Sequence, residues 1–426
     1  MSTVNFIQSF LQRKGGYVLF SSYFAKLITF LIAVYIIRVI PKAEYGFVVY
    51  ASTIISFVAP FKGLGIYQGL LRFGAISNSQ QLKKFYLNQT LKKGLLYTLL
   101  IIGALCAITP LLSSNMEDAF LYIILLSFQL VSLLLLEIIK IYSRLIHLNK
   151  LYSIITIYNN LFLLIGVIIS TYYWGALGYI ISLITIPTLY SIYLIFKLNL
   201  LSFNKNQIAP ESNKSFLSYG FYMSLGGMLS QLLYAVDVIL IGNLIKDAEV
   251  IAQYKTSNII PFSLLILPVA ILTTDFVKIT NEVNKDKRSI WRYYLNYLKI
   301  MSVFCVGILG IFYFFSQEIL LIFGKEYSND NNLMFIFSVG VVGALLFRIP
   351  LGNILSAIGW PKINALFSVI VLLINLIAGY YCVINYGVGC CLHYGFLNVV
   401  FRNIIVICII KIFKNRIERF IFNVET

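Results

Sequence analysis

Long apolar runs, broken at short intervals by polar clusters, dominate this chain. Leu95–Leu112, Phe120–Leu136, Leu161–Trp174 and Val369–Ile384 carry almost no ionisable group. Runs of about 20 residues match a hydrocarbon core of about 30 Å at about 1.5 Å rise per residue. The pattern predicts about twelve spanning helices, at 16–37, 45–71, 94–112, 118–139, 151–173, 175–196, 215–242, 248–276, 293–315, 332–358, 362–384 and 389–410. Clusters such as Ser113-Ser114-Asn115 and Ser328-Asn329-Asp330 mark the gaps. The widest connections, 72–93, 197–214 and 277–292, are too small for a soluble domain. Tyr17–Ile37 is too long for a signal-peptide core and lacks a small-residue cleavage site, so it reads as the first span.

Composition agrees: 60% of residues are hydrophobic and 12% charged, against about 45–50% and about 25% in soluble domains. Charge then orients the helices. With the N-terminus in the cytoplasm, only Arg38, Lys42, Lys246 and Lys325 fall in outer connections, while the inner ones collect pairs and runs such as Lys83-Lys84, Lys92-Lys93 and Lys285–Arg288. Positive loops stay in the cytoplasm, so both termini are read as inside. The net charge of +17 is thereby mostly topogenic. It lies against an anionic leaflet and calls for no nucleic-acid partner.

Six basic residues remain within the spans: Lys26, Lys62, Lys255, Lys299, Arg348 and Arg402. A mid-membrane charge costs about 2.5–3.5 kcal/mol on insertion scales, so such groups face a bundle interior, a wet cavity or a partner. Lys299 and Lys255 lie near helix ends and can snorkel. Ser22, Lys26 and Thr29 share one face of the first helix. Gly340, Ala344, Arg348, Gly352 and Ser356 recur every four residues on the tenth, and Asn398 and Arg402 stack on the twelfth. Either these groups line a cationic cavity, or the small residues mark tight packing and each arginine has a local partner. Among the acids, Glu137 shares a face with Lys140 and Arg144, the pattern of an ordinary ion pair. Asp237 is the candidate partner of Lys255 or a coupling-ion site, and Asp275 lies near a cytoplasmic helix end. Pro60, Pro187, Pro261, Pro268 and Pro350, with Gly226-Gly227, are weak points at which spans can bend.

No phosphate-binding GxxxxGK[ST] loop, HExxH or GxSxG occurs, and the two histidines, His147 and His393, form no catalytic set. The sequence thus points to no enzyme, cofactor or metal. The six cysteines, including adjacent Cys390 and Cys391, read as buried free thiols.

The chain divides at 197–214 into six spans on each side, residues 1–200 and 201–426. Six is even, which predicts parallel repeats with a substrate cavity between them. Ala43-Glu44-Tyr45-Gly46 before a span with Pro60 is echoed by Ala252-Gln253-Tyr254 before Pro261, and Leu148-Asn149-Lys150 by Trp360-Pro361-Lys362.

On the stretch from Arg38 to Gly46, then Gly63-Leu64-Gly65 and Leu71-Arg72, with Asp237–Gly242 and Ala252-Gln253-Tyr254 in the second half, the chain resembles the Wzx-type O-antigen flippases of the MOP exporter superfamily, which includes the MATE exporters. The resemblance implies an all-α polytopic fold of two six-helix bundles in the bacterial inner membrane, arranged as a V around a cationic cavity. It implies transport of an oligosaccharide on undecaprenyl pyrophosphate, for O-antigen, lipopolysaccharide or other polysaccharide assembly. Alternating access would drive it, coupled to a proton or sodium gradient as in relatives and working beside other assembly proteins. Lys26, Lys62, Arg348, Arg402 and Lys255 would then contact the anionic head group, since guanidinium and ammonium groups suit phosphate. The rival readings are a MATE-like exporter of small organic compounds, which would favour acidic cavity groups, and a membrane polysaccharide polymerase or ligase, which would place a large loop outside. The longest outer loop here is about residues 316–331.

Overall fold

The computed structural model describes residues 15–77, 79–146, 148–200, 213–265 and 288–350, with most of 369–384. Among them every regular element is helical. The chain divides into two compact units, Met1–Ala235 and Val236–Thr426.

In the first unit α1 (Gly15–Val39) is followed by α2 (Lys42–Val58), a 3₁₀ segment (Ala59–Gly65) and α3 (Ile66–Ile76). Then come α4 (Gln80–Leu112), α5 (Ala119–Ser127), α6 (Gln129–Leu145) and α7 (Asn149–Lys197), and α8 (Asn213–Leu244) continues past the unit boundary. The expected connection 72–93 is largely helical instead. Tyr86, Leu87, Thr90, Leu91 and Gly94 are buried at helical spacing, while Lys84 and Lys92 stay exposed. An amphipathic stripe of this kind continues a helix past the apolar run that first signals it.

α7 is a hairpin. Gly175, at φ 55° and ψ −135°, separates two limbs that run back along each other, and a side chain there would be strained. The limbs are the two spans expected at 151–173 and 175–196. Near the turn Ser170 Oγ lies 2.5 Å from Ser182 Oγ and donates to the Gly178 carbonyl. α1 packs along this hairpin, with Tyr35 donating to the Ile168 carbonyl at 3.0 Å. The core gathers Leu70, Leu87, Leu134 and Ile138 around Phe216 of α8, whose ring stacks on Tyr86 at 5.0 Å.

In the second unit α9 (Ala248–Ser263) and α10 (Arg288–Leu321) both pack on α11 (Asn331–Gly343). The Asp247 carboxylate caps α9 through the Glu249 amide at 2.8 Å. α11 runs into a π-helical turn, Ala344–Arg348. Six helical stretches among the described residues are long and apolar enough to cross a membrane, and α7 supplies two limbs within one of them. The chain is an all-α polytopic membrane protein. The expected span 389–410 and parts of 248–276, 332–358 and 362–384 lie outside the described residues.

Candidate functional site

The second span is broken, and the break carries a lysine. Lys62 has an extended backbone (φ −49°, ψ 134°), and Gly63, Leu64 and Gly65 follow in the left-handed region. Pro60 has no amide hydrogen to continue the α ladder, and glycine enters the left-handed region without penalty. Leu64 has no such freedom, so it is held there by its surroundings. Gly63 lies against Gly94 and Leu134, and Gly65 against Gly220 and Ser224 of α8.

Lys62 is buried at 9% exposure. Its Nζ sits 4.2 Å from the centre of the Tyr67 ring and donates a long bond, 3.4 Å, to the Ala59 carbonyl. Tyr67 is fixed in turn by donating to the Pro60 carbonyl at 2.9 Å. Buried against Gly65, Ser224 Oγ has no hydrogen-bond partner. The break therefore combines a desolvated ammonium, aimed by an aromatic face, with an unsatisfied hydroxyl. An ammonium has three donors, and the Ala59 bond occupies one of them.

Lys26 is exposed on α1, beside half-buried Ser22 and exposed Thr29, whose hydroxyl bonds back to the Ala25 carbonyl. Glu137 is half-buried on α6, close enough to Lys140 to interact electrostatically. Glu44, in the Ala43–Gly46 signature, accepts a bond of 2.9 Å from the Tyr122 hydroxyl. That bond ties the start of α2 to α5, a structural use that the signature alone does not reveal.

In the second unit Asp237, Tyr254 and Lys255 come together. Tyr254 donates to Asp237 Oδ2 at 2.8 Å, and its ring meets Phe337 edge-on at 5.0 Å. Half-buried Lys255 is near enough to the buried Asp237 carboxylate for direct Coulombic attraction. A double-mutant cycle checks this pairing. Asp237→Asn is expected to lower the melting temperature in detergent, and adding Lys255→Gln to recover part of the loss, with a coupling of about 0.5–3 kcal/mol. Strictly additive losses would mean that the two do not pair.

Arg348 ends the π turn. The Ile349 amide bonds to the Ala344 carbonyl, five residues back, which leaves the Leu345 carbonyl without its α-helical donor. Pro350 has no N–H for the Leu346 carbonyl. Two tyrosines of α10 fill these vacancies: Tyr297 donates to the Leu345 carbonyl at 2.8 Å and Tyr294 to that of Leu346 at 3.4 Å. Half-buried Arg348 thus stands on a clamped, widened turn and is itself engaged by neighbouring groups. Turns of this kind recur at functional sites. Tyr297→Phe is expected to destabilise the protein by about 1–3 kcal/mol by leaving a buried carbonyl unpaired. Tyr313→Phe, at an exposed position of the same helix, should leave the melting temperature unchanged. Arg402 lies outside the described residues.

Residues 11–274 match the polysaccharide biosynthesis protein family. In fold the chain is similar to an inward-facing MATE multidrug resistance transporter of the MOP superfamily, at TM-score 0.72 and 13% identity, covering 93% of this chain and 95% of that one. It is likewise similar to the lipid II flippase MurJ in an inward closed conformation, at TM-score 0.68 and 14% identity over 91% and 87%. A third likeness is to a MOP transporter from Pyrococcus furiosus, described as having a binding pocket of reverse polarity, at TM-score 0.60 and 13% identity over 95% of each chain. No curated protein sequence matches.

By its fold the chain is a multi-pass membrane protein with the architecture of these MATE and MurJ structures. The chain belongs to the polysaccharide biosynthesis protein family, the group of Wzx-like flippases.

Proposed function

We propose that the protein turns oligosaccharide repeat units linked to undecaprenyl pyrophosphate from the cytoplasmic to the periplasmic leaflet of a bacterial inner membrane. The product would feed O-antigen or another surface polysaccharide. The observation that carries this reading is a buried lysine at a broken span, in a chain of a polysaccharide biosynthesis family. A pyrophosphate-sugar head group is too polar to cross lipid unaided. Lys62, Lys26, Arg348, Lys255 and Arg402 replace part of its hydration, and Arg348 offers phosphate a planar fork of donors.

Basic in-span residues favour an anionic substrate over the organic cations of a drug exporter. Asp237, already bonded by Tyr254 and attracted by Lys255, acts as an internal counter-charge, as Glu137 does beside Lys140. Transport proceeds by alternating access between two leaflets, drawing on a proton or sodium gradient and handing its product to other assembly proteins. The twelve spans form two six-helix halves, 1–200 and 201–426, with both termini inside.

Deletion of the gene in its host tests this. Loss of surface glycan with complete repeat units trapped on the cytoplasmic leaflet is expected. Normal glycan with greater sensitivity to organic cations would move the assignment to drug export, and single units displayed without polymerisation would move it to a polymerase or ligase.

A further inference from the structure

The two limbs of α7 are zipped near Gly175 but part company at the other end, where they leave a cavity of about 660 Å³. Tyr158, Phe162, Leu189, Tyr190 and Tyr193 line it, and Lys197 stands at its mouth, its Nζ 5.3 Å from the centre of the Tyr193 ring. A second cavity of about 230 Å³ shares the wall residues Leu151 and Leu198 and adds Lys84, Tyr142 and Ser143. The apolar groove and the smaller pocket thus share a wall, and each is lined by one lysine, Lys197 and Lys84 respectively, at the end of the unit that carries the basic connections. By the charge rule that end is cytoplasmic.

We propose that this groove is a binding site for one anionic phospholipid of the cytoplasmic leaflet. One acyl chain lies between the limbs of α7, and the phosphate sits at Lys84 and Lys197. Three observations support this occupant. An open groove of this size between apolar walls leaves apolar surface without packing partners until an apolar chain covers it. Its rim is exposed apolar surface: Leu189 is 66% exposed and Tyr193 53%. Each of the two adjoining cavities carries one lysine, Lys197 and Lys84, and basic groups between spanning helices on the cytoplasmic side suit anionic head groups. None of Lys26, Lys62, Lys255 and Arg348 lines either cavity, so the proposal stands apart from the transport reading and survives its failure. The lipid would wedge the open end of the hairpin against which α1 packs.

The test uses the full-length protein in vesicles holding equal amounts of phosphatidylglycerol and phosphatidylethanolamine, extracted into mild detergent and weighed by native mass spectrometry. Wild type is expected to retain one phosphatidylglycerol in preference to phosphatidylethanolamine. Lys84→Gln with Lys197→Gln is expected to lower that retention by about 30-fold, the attraction of two surface lysines for an anionic lipid. Leu189→Trp, which fills the groove, should also expel it, whereas Lys84→Arg with Lys197→Arg should keep it. Equal retention of both lipids by wild type, or undiminished phosphatidylglycerol in the glutamine and tryptophan variants, would overturn the proposal. So would displacement of phosphatidylglycerol by an equal amount of polyprenyl phosphate, which would assign the groove to the substrate's chain. A melting curve of each variant separates lipid loss from misfolding, and the arginine variant, if it keeps the lipid, shows that positive charge rather than lysine itself holds the head group.

Discussion

Arg348→Glu together with Lys26→Glu is expected to abolish transport while the protein still reaches the membrane at near wild-type amount. The two positions place cations in different units, on α1 and at the π turn that ends α11. Each reversal removes an attraction for the anionic head group and adds a repulsion. For half-buried Arg348, removing one partner of a hydrogen-bonded charge pair costs about 2–5 kcal/mol, or at least about 30-fold in the step that needs it, and exposed Lys26 adds a smaller loss. Two reversals together should leave no measurable export. Lys26 is exposed on α1, so its reversal removes no buried partner. The clamp on the Arg348 turn is made of backbone carbonyls and tyrosine hydroxyls, which a change at residue 348 leaves in place. Export that survives both changes, read as surface glycan in a deletion host with membrane levels checked, would discard the cationic-site account.

Gly65→Ala is expected to cause the largest loss of folded protein of any single methyl addition in the first unit. Two costs coincide there. At φ 75° a side chain meets the left-handed penalty of about 1–2 kcal/mol. The new Cβ would also overlap the Gly220 carbonyl and Ser224, and overpacking of this kind costs about 1–3 kcal/mol. The overlap includes backbone, so no rotamer change relieves it. Gly226→Ala, where a Cβ meets nothing within 4 Å, should be neutral or slightly stabilising, since alanine favours the helix by about 1 kcal/mol. Fluorescence-detected size exclusion after heating would compare them. Equal melting temperatures for the two variants would contradict the close crossing of the break with α8.

Much of the fold follows from the apolar periodicity. The first span, the hairpin about Gly175 and the polytopic class all emerge from runs of membrane length separated by glycine or polar clusters. The break at Lys62 does not. Pro60 and Gly63-Leu64-Gly65 suggest a bend, but a continuous span from 45 to 71 fits the hydropathy equally well. Three left-handed residues in succession depend on Gly94 and Gly220, which are distant in sequence. Tyr67 was invisible as a partner of Lys62 for the same reason, because a spacing of five is not a helical neighbour until the helix breaks. Asp237 and Lys255 were legible as opposite charges in adjacent apolar segments, but Tyr254 as a donor to Asp237 was not. At Arg348 the every-fourth recurrence through Gly340 and Ala344 marked a small, polar stripe but not the π turn itself. The tyrosines that stabilise it come from α10, about 50 residues earlier, and no local pattern marks them.

The most direct test of the central claim is a reconstitution. Purified protein is placed in vesicles with a fluorescent oligosaccharide carried on undecaprenyl pyrophosphate, and the fraction exposed to an external glycosidase is followed over time. Protein-dependent movement between leaflets, lost in the Lys62→Glu and Arg348→Glu variants, is the result expected. Leaflet exchange no faster than in protein-free vesicles, under a proton gradient and a sodium gradient alike, would contradict it.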